Sequence, residues 1–273
     1  MKGVRSWAVR LGKVALVIAF ALPLIVVVIS SLRPEARLFE SVAPIPSELV
    51  LDHYRALFRE RDFATPIFNS IVVAGATTAL CLPLGTMCAY AVARLRFPGR
   101  SALLAVVLAV AMFPQISIVS PLYTFLRAVG LIDTRPGLVL PYLTFAMPLA
   151  IWLLVGYFRA LPADLEEAAL VDGASRMRVL LEVVLPLAWP AMATTGILTF
   201  LFCWNEFLFA LSFTVRAESR TVPVAIALFR GQHQVPWGQI LAGAVVATAP
   251  VVTIVVLFQR RIVRGLTSGA VKG

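Results

Sequence analysis

Six long apolar runs limit this chain more than any other feature. Val14–Leu32 continues for 19 residues without a charge. Crossing the hydrocarbon core of a bilayer takes about 20 residues of helix. Further runs at 66–93, 101–119, 137–158, 187–213 and 239–258 approach or exceed that length. Mean hydropathy of +0.91 and 60% hydrophobic residues are too high for a soluble domain of this size. The expected fold is all-α, a polytopic membrane protein with six transmembrane helices in one domain spanning 1–273.

The formal net charge is +10. Its basic residues fall in short clusters between apolar runs, which is a topology signal rather than a nucleic-acid surface. Six spans put both termini on one side. That side, with the Arg94–Arg100 turn and the central segment 159–186, collects 14 of the 24 Lys and Arg. By the positive-inside rule it is the cytoplasm of a bacterial cell, so a multi-pass protein of the cytoplasmic membrane is expected. A cleaved signal peptide would also begin with basic residues, but its apolar region is shorter and Arg33-Pro34 stands where small residues would be needed. Cys81, Cys88 and Cys203 all fall inside spans, so a disulfide framework is not expected. His53 and His233 read as isolated loop residues, which leaves no metal site.

Between spans, His53–Arg61 reads as a short interfacial helix with Tyr54, Leu57 and Phe58 on one face. Gly75, Ala76, Ala79, Gly85 and Ala89 would let the second span approach its neighbours closely. Pro114 and Pro121 should break the end of the third, leaving Leu122–Arg135 outside the membrane.

No P-loop, nucleophile elbow, paired-histidine helix or Cys-x-x-Cys occurs, so no catalytic residue is assigned. Glu206, beside Trp204 and Asn205, is the one carboxylate deep in a span. It costs roughly 2.5–3.5 kcal/mol to place there. Three roles are open to it: proton coupling, lining a polar substrate path, or a structural hydrogen bond between helices. Tyr142, Trp152, Tyr157 and Trp204 could stack on a sugar, or simply pack and anchor.

The segment Leu161–Pro190 mixes charge with helix formers, unlike the runs on either side. Asp164 and Glu167 have capping-box spacing. Leu165, Ala168 and Ala169 would form one small apolar face. Gly173 supplies a turn, Ser175 caps a second helix bearing Arg176, Arg178 and Glu182, and Pro186 kinks or interrupts that helix. The expectation is a helix–turn–helix knuckle that another protein could grip.

Glu167-Ala168-Ala169-Leu170-Val171-Asp172-Gly173, followed by Leu185-Pro186, resembles the EAA loop of permease subunits in bacterial ATP-binding-cassette importers. Asn69-Ser70, the stretch Ala89–Arg94 with Phe97-Pro98-Gly99, Trp204-Asn205-Glu206 and the ending Gly265–Gly273 resemble the carbohydrate branch, in particular the second permease of maltose- and trehalose-type importers. The resemblance implies the type I ABC importer permease fold. It further implies a heterodimer with a second, homologous permease, two copies of an ATPase subunit that hold ATP and Mg, and an extracytoplasmic substrate-binding protein. This chain would carry no cofactor of its own.

Site residues implied by the resemblance are Glu166, Glu167, Ala168, Ala169, Asp172, Gly173, Arg176 and Arg178 for ATPase coupling, with Glu167 the main docking charge. Asn69, Trp204, Asn205 and Glu206 are candidates for the substrate pathway. Gly231, Gln232, His233 and Gln234 belong to a Thr214–Gly238 loop facing the binding protein, and Ser268, Gly269 and Lys272 to a tail reaching the ATPase. One carboxylate and few cations inside spans favour a neutral polar cargo, a di- or oligosaccharide such as trehalose or maltose. Importers of glycerol phosphodiesters or another polar solute, and a proton-coupled secondary transporter using Glu206, are the alternatives.

Overall fold

The computed structural model describes residues 2–39, 48–229 and 235–267. It is 81% helical, with no strand among the described residues. Among the described residues, five helices are long and apolar enough to cross a membrane, or six if one bent pair counts as a single span. The chain divides into two compact units, 1–64 with 225–250, and 65–224 with 251–273.

In the first unit, α1 (Lys2–Ser31) is a continuous helix whose apolar side chains are largely exposed, as a lipid-facing helix requires. The short helix α2 (Asp52–Arg59) lies against its end. The Ser31 and Tyr54 hydroxyls share a 2.6 Å hydrogen bond. The buried face of α2 is His53 and Leu57, whereas Phe58 is 46% exposed, which shifts the expected face by about one residue. His53 is not an isolated loop residue. Its ring sits 2.8 Å from the Arg33 carbonyl, and a Cβ at Gly238 would fall onto it. Arg61 reaches Gln239 at 3.0 Å and lies over the Phe229 ring.

The second unit is built on α3 (Ala64–Arg94), α6 (Arg135–Ala160) and α9 (Leu185–Trp204). In α3 the buried stripe is Val73, Ala74, Thr77, Cys81, Gly85 and Ala89, at helical spacing. A Cβ on Gly85 would meet that of Ala150 at 3.4 Å, and one on Gly196 would lie 3.1 Å from Leu82. Small residues therefore set how closely these helices approach. Of those expected to do so, Gly85 and Ala89 are buried, while Gly75 faces open space and Ala79 is exposed.

The third span is broken. α4 (Arg100–Met112) and α5 (Gln115–Ala128) meet at 93° across Phe113-Pro114. Phe113 is extended, as a residue preceding proline prefers. Pro121 lies inside α5 without ending it, so Leu122–Ala128 is helical and only 129–134 forms the expected turn. The fifth run also breaks, because α9 stops at Trp204 and α10 (Leu208–Phe213) follows. The 214–238 segment is no simple loop, since it holds a 3-10 turn at Ala217–Ser219 and α11 (Val222–Ala227). α12 (Trp237–Thr267) extends well past its expected end.

Candidate functional site

The knuckle forms where α6 ends. α7 (Asp164–Val171) carries Asp164, Glu166 and Glu167 in its first turn, where carboxylates complement the helix dipole. Its N-cap is Ala163, with no side-chain hydrogen bond. The expected capping box is absent because Asp164 is already helical. Gly173 turns the chain at φ 82°, and the Ser175 hydroxyl accepts from the Arg178 N–H at 3.3 Å to open α8 (Arg176–Arg178). Pro186 has no N–H for the Glu182 carbonyl, and a π-turn over Val179–Val184 absorbs the mismatch before α9 begins.

A left-handed backbone at Gly173 strains any residue with a Cβ by about 1–2 kcal/mol. Gly173→Val is expected to lower thermal stability of the purified protein and reduce transport, with Gly173→Asn milder.

The two adjacent glutamates face opposite ways. Glu166 is 5% exposed, and its Oε1 lies 2.7 Å from Arg94 Nε in a geometry too bent for a hydrogen bond, so the contact is an ion pair. Its Oε2 accepts from the Tyr90 hydroxyl at 3.1 Å. Arg94 Nη2 also donates to the Leu161 carbonyl at 2.7 Å, tying the ends of α3 and α6 together. Arg176 reaches the same Tyr90 hydroxyl. Ala169, Leu170 and Ala174 pack on a core that includes Val92, Leu154, Phe158 and Val179.

The outer face presents Glu167, Ala168, Asp172 and Leu165, with Val171 87% exposed. Arg178 is also exposed and pairs with Glu182 at 3.3 Å. The apolar face expected from Leu165, Ala168 and Ala169 is thus split, Ala169 turning inward and the other two outward. Arg94 and Tyr90 were not singled out from sequence as partners of the knuckle. An arginine ending a span, four residues after a tyrosine, was the available signal.

At the opposite end of α3 lies a second polar cluster. Asn69, 1% exposed, donates to the carbonyls of Glu218 and Arg220 at 2.8 and 2.9 Å and accepts from Arg135 Nε at 2.9 Å. The Ser70 hydroxyl accepts from the Val222 N–H at 2.9 Å. Asp133 Oδ1 gathers the N–H groups of Val215 and Arg216 and the Ser219 hydroxyl, at 2.6, 2.9 and 2.6 Å. Burial raises the Asp133 pKa, but those hydrogen bonds and the Arg216 charge outweigh it and hold it below its ordinary 3.8. A depressed carboxylate stabilises above its ordinary pKa and loses that contribution as pH falls through the lower folded value. The loop should therefore stay tied at neutral pH and loosen only in strong acid, below about pH 4. Asp133→Ala removes the acceptor of the Val215 and Arg216 N–H groups, while the Ser219 hydroxyl keeps the Arg216 carbonyl at 2.8 Å, so deuterium exchange at Val215 and Arg216 is expected to quicken about tenfold at pH 7.

The expected pathway residues do not converge. Asn69 is occupied by the loop it holds. Glu206 accepts from the N–H groups of Phe209 and Ala210 at 2.8 and 3.1 Å, so it caps α10 and explains the break after α9. Trp204 is buried and stacked on Phe200, while exposed Asn205 donates to the Leu201 carbonyl. A cavity of about 500 Å³ between α4, α6 and α9 is lined by Leu104, Val107, Ile151, Trp152 and Thr194, and Asn69, Trp204, Asn205 and Glu206 are not part of its lining. Gly231, Gln232, His233, Gln234, Ser268, Gly269 and Lys272 lie outside the described residues.

Residues 82–268 match the model of the family described as binding-protein-dependent transport system inner membrane component. The chain is 49% identical to the trehalose transport system permease protein SugB of Mycobacterium tuberculosis, covering 94% of this chain and 95% of that one. It is 43% identical to the trehalose/maltose transport system permease protein MalG of Thermococcus litoralis, over 82% and 81%. Identity is 40% to the sulfoquinovosyl glycerol transport system permease protein SmoH of Agrobacterium fabrum, over 92% and 88%. Among solved structures, a chain of a bacterial ABC transporter that imports the polysaccharide alginate superposes with a TM-score of 0.78, at 24% identity, over 94% of this chain and 95% of that one. The chain belongs to the binding-protein-dependent transport system inner membrane components, and is a multi-pass permease subunit of an ABC importer.

Proposed function

We propose that this permease forms half of the pathway for a glycoside, a di- or oligosaccharide such as trehalose or maltose, beside a second homologous permease. ATP and Mg bind to two copies of a separate ATPase subunit, and an extracytoplasmic binding protein delivers the sugar. Both termini, the Arg94–Arg100 turn and the knuckle face the cytoplasm. The observation that carries this reading is the knuckle's division of labour. Its inner face is locked to α3, while Glu167, Ala168, Val171 and Asp172 stand outward as a docking surface. The names of the relatives favour a glycoside cargo.

When ATP closes the ATPase pair, a docked knuckle would move with it and switch the pathway from inward- to outward-facing. This requires different contacts in the two states. This reading needs no proton coupling at Glu206, whose two oxygens accept backbone N–H groups and cap α10. The test is ATP hydrolysis by the co-purified complex with its binding protein and a panel of sugars. Stimulation by one glycoside supports the reading. Stimulation by a glycerol phosphodiester and by no sugar would replace the cargo class.

A further inference from the structure

The knuckle and the 215–222 loop lie at opposite ends of one helix, and side chains of that helix grip both. From Ser70 to Tyr90, α3 spans about 30 Å at 1.5 Å per residue. At one end, Tyr90 and Arg94 hold Glu166, 76 and 72 positions away in sequence. At the other, Asn69 and Ser70 hold backbone atoms of Glu218, Arg220 and Val222, some 150 positions away. α3 has no short chain connection to either element, so it holds them through these polar ties and, at the knuckle, through the packing of Ala89 and Val92.

Each grip is buried. Asn69 is 1% exposed, Ser70 3% and Glu166 5%. Releasing any of them would strand polar atoms, a larger loss than the net value of an ordinary hydrogen bond. Between the grips, Gly85 lies close against Ala150, and Gly196 close against Leu82, leaving little room for the helix to slide independently. We infer that α3 is the strut that carries movement of the knuckle to the 215–222 loop, with Glu166–Arg94 and Asn69 as its positioning contacts. Arg135, which begins α6 and bonds Asn69, makes α6 move with it. The inference rests on the reading of the knuckle as the ATPase-docking element.

This strut gives the two glutamates separate tasks. Glu167 meets the ATPase, and Glu166 passes the displacement into the membrane. Coupling of this kind is an energetic link between the two grips, and paired variants read it directly.

The test uses the complete complex, purified with its ATPase and carrying alanines at Cys81, Cys88 and Cys203. A spin label is placed at Val215→Cys, where the native side chain is 62% exposed. Its mobility is read without nucleotide and after trapping with ATP and vanadate, normalised to trapped nucleotide so that a lower ATPase rate does not count. The unsubstituted complex is expected to show a nucleotide-dependent change in mobility. Glu166→Gln, which keeps the side-chain volume, and Asn69→Ala should each cut that change to less than half. The double variant should be no worse than the more affected single one, because both break the same strut. Sites this far apart would otherwise act independently.

A full change in both single variants, independent losses in the double, or no change in the unsubstituted complex would overturn the strut. A chain that purifies without any ATPase would overturn the reading of the knuckle and the strut with it.

Discussion

Arg94→Ala is expected to collapse the knuckle and abolish uptake. The substitution leaves the buried Glu166 carboxylate with the Tyr90 hydroxyl as its remaining polar neighbour and frees the Leu161 carbonyl. Removing one partner of a buried ion pair costs about 3–5 kcal/mol, far more than the pair contributes over a well-packed apolar substitute. For a chain of this length, that corresponds to a drop in melting midpoint on the order of 10 °C. Fluorescence-detected gel filtration after heating would measure it. Arg94→Ala combined with Glu166→Gln removes the stranded charge and should recover part of the loss. An unchanged midpoint in Arg94→Ala would show that the pair holds nothing.

Glu167→Lys should behave differently, losing function while the fold survives. Glu167 is exposed on the outer face, so no buried partner is stranded. The only local penalty is a cation in the first turn of α7, worth about 0.3–1 kcal/mol against the helix dipole. If Glu167 is the main charge that docks on the ATPase, reversing it places like charges together in the interface, and uptake should fall about 100-fold or more. The ATPase should also be lost from the complex during purification, with the melting midpoint of the permease nearly unchanged. Normal assembly and uptake by Glu167→Lys would remove Glu167 from the interface.

These two outcomes contrast although the residues are neighbours with the same side chain. The sequence placed both glutamates on the knuckle, but it could not tell inward from outward. That choice depends on which way α7 rolls against the ends of α3 and α6, and Arg94 and Tyr90 settle it from 72 and 76 positions away. Local turn chemistry was easier to read. Gly173 adopts positive φ and Ser175 caps α8 as their residue types dictate. The apparent capping box failed because Asp164 begins the helix rather than preceding it.

Most of the spans were legible from apolar length alone. Their breaks were less so, because hydropathy does not register backbone satisfaction. Pro114 bends the third span as expected, yet Pro121 is absorbed within α5. The break at Glu206 was invisible as a break. The same carboxylate that suggested a transport role caps a new helix. Asn69 followed a similar course. Its amide in a span suggested a polar path, and its partners are loop carbonyls that no local pattern could reveal.

The most direct test of the central claim is uptake of labelled trehalose by proteoliposomes holding the complete complex, with ATP on the knuckle side and binding protein on the other. Uptake that requires ATP, the ATPase subunit and the binding protein together, and that vanishes in Glu167→Lys, is the predicted result. Uptake of the same sugar on a proton gradient, by this chain without its ATPase, would contradict the account.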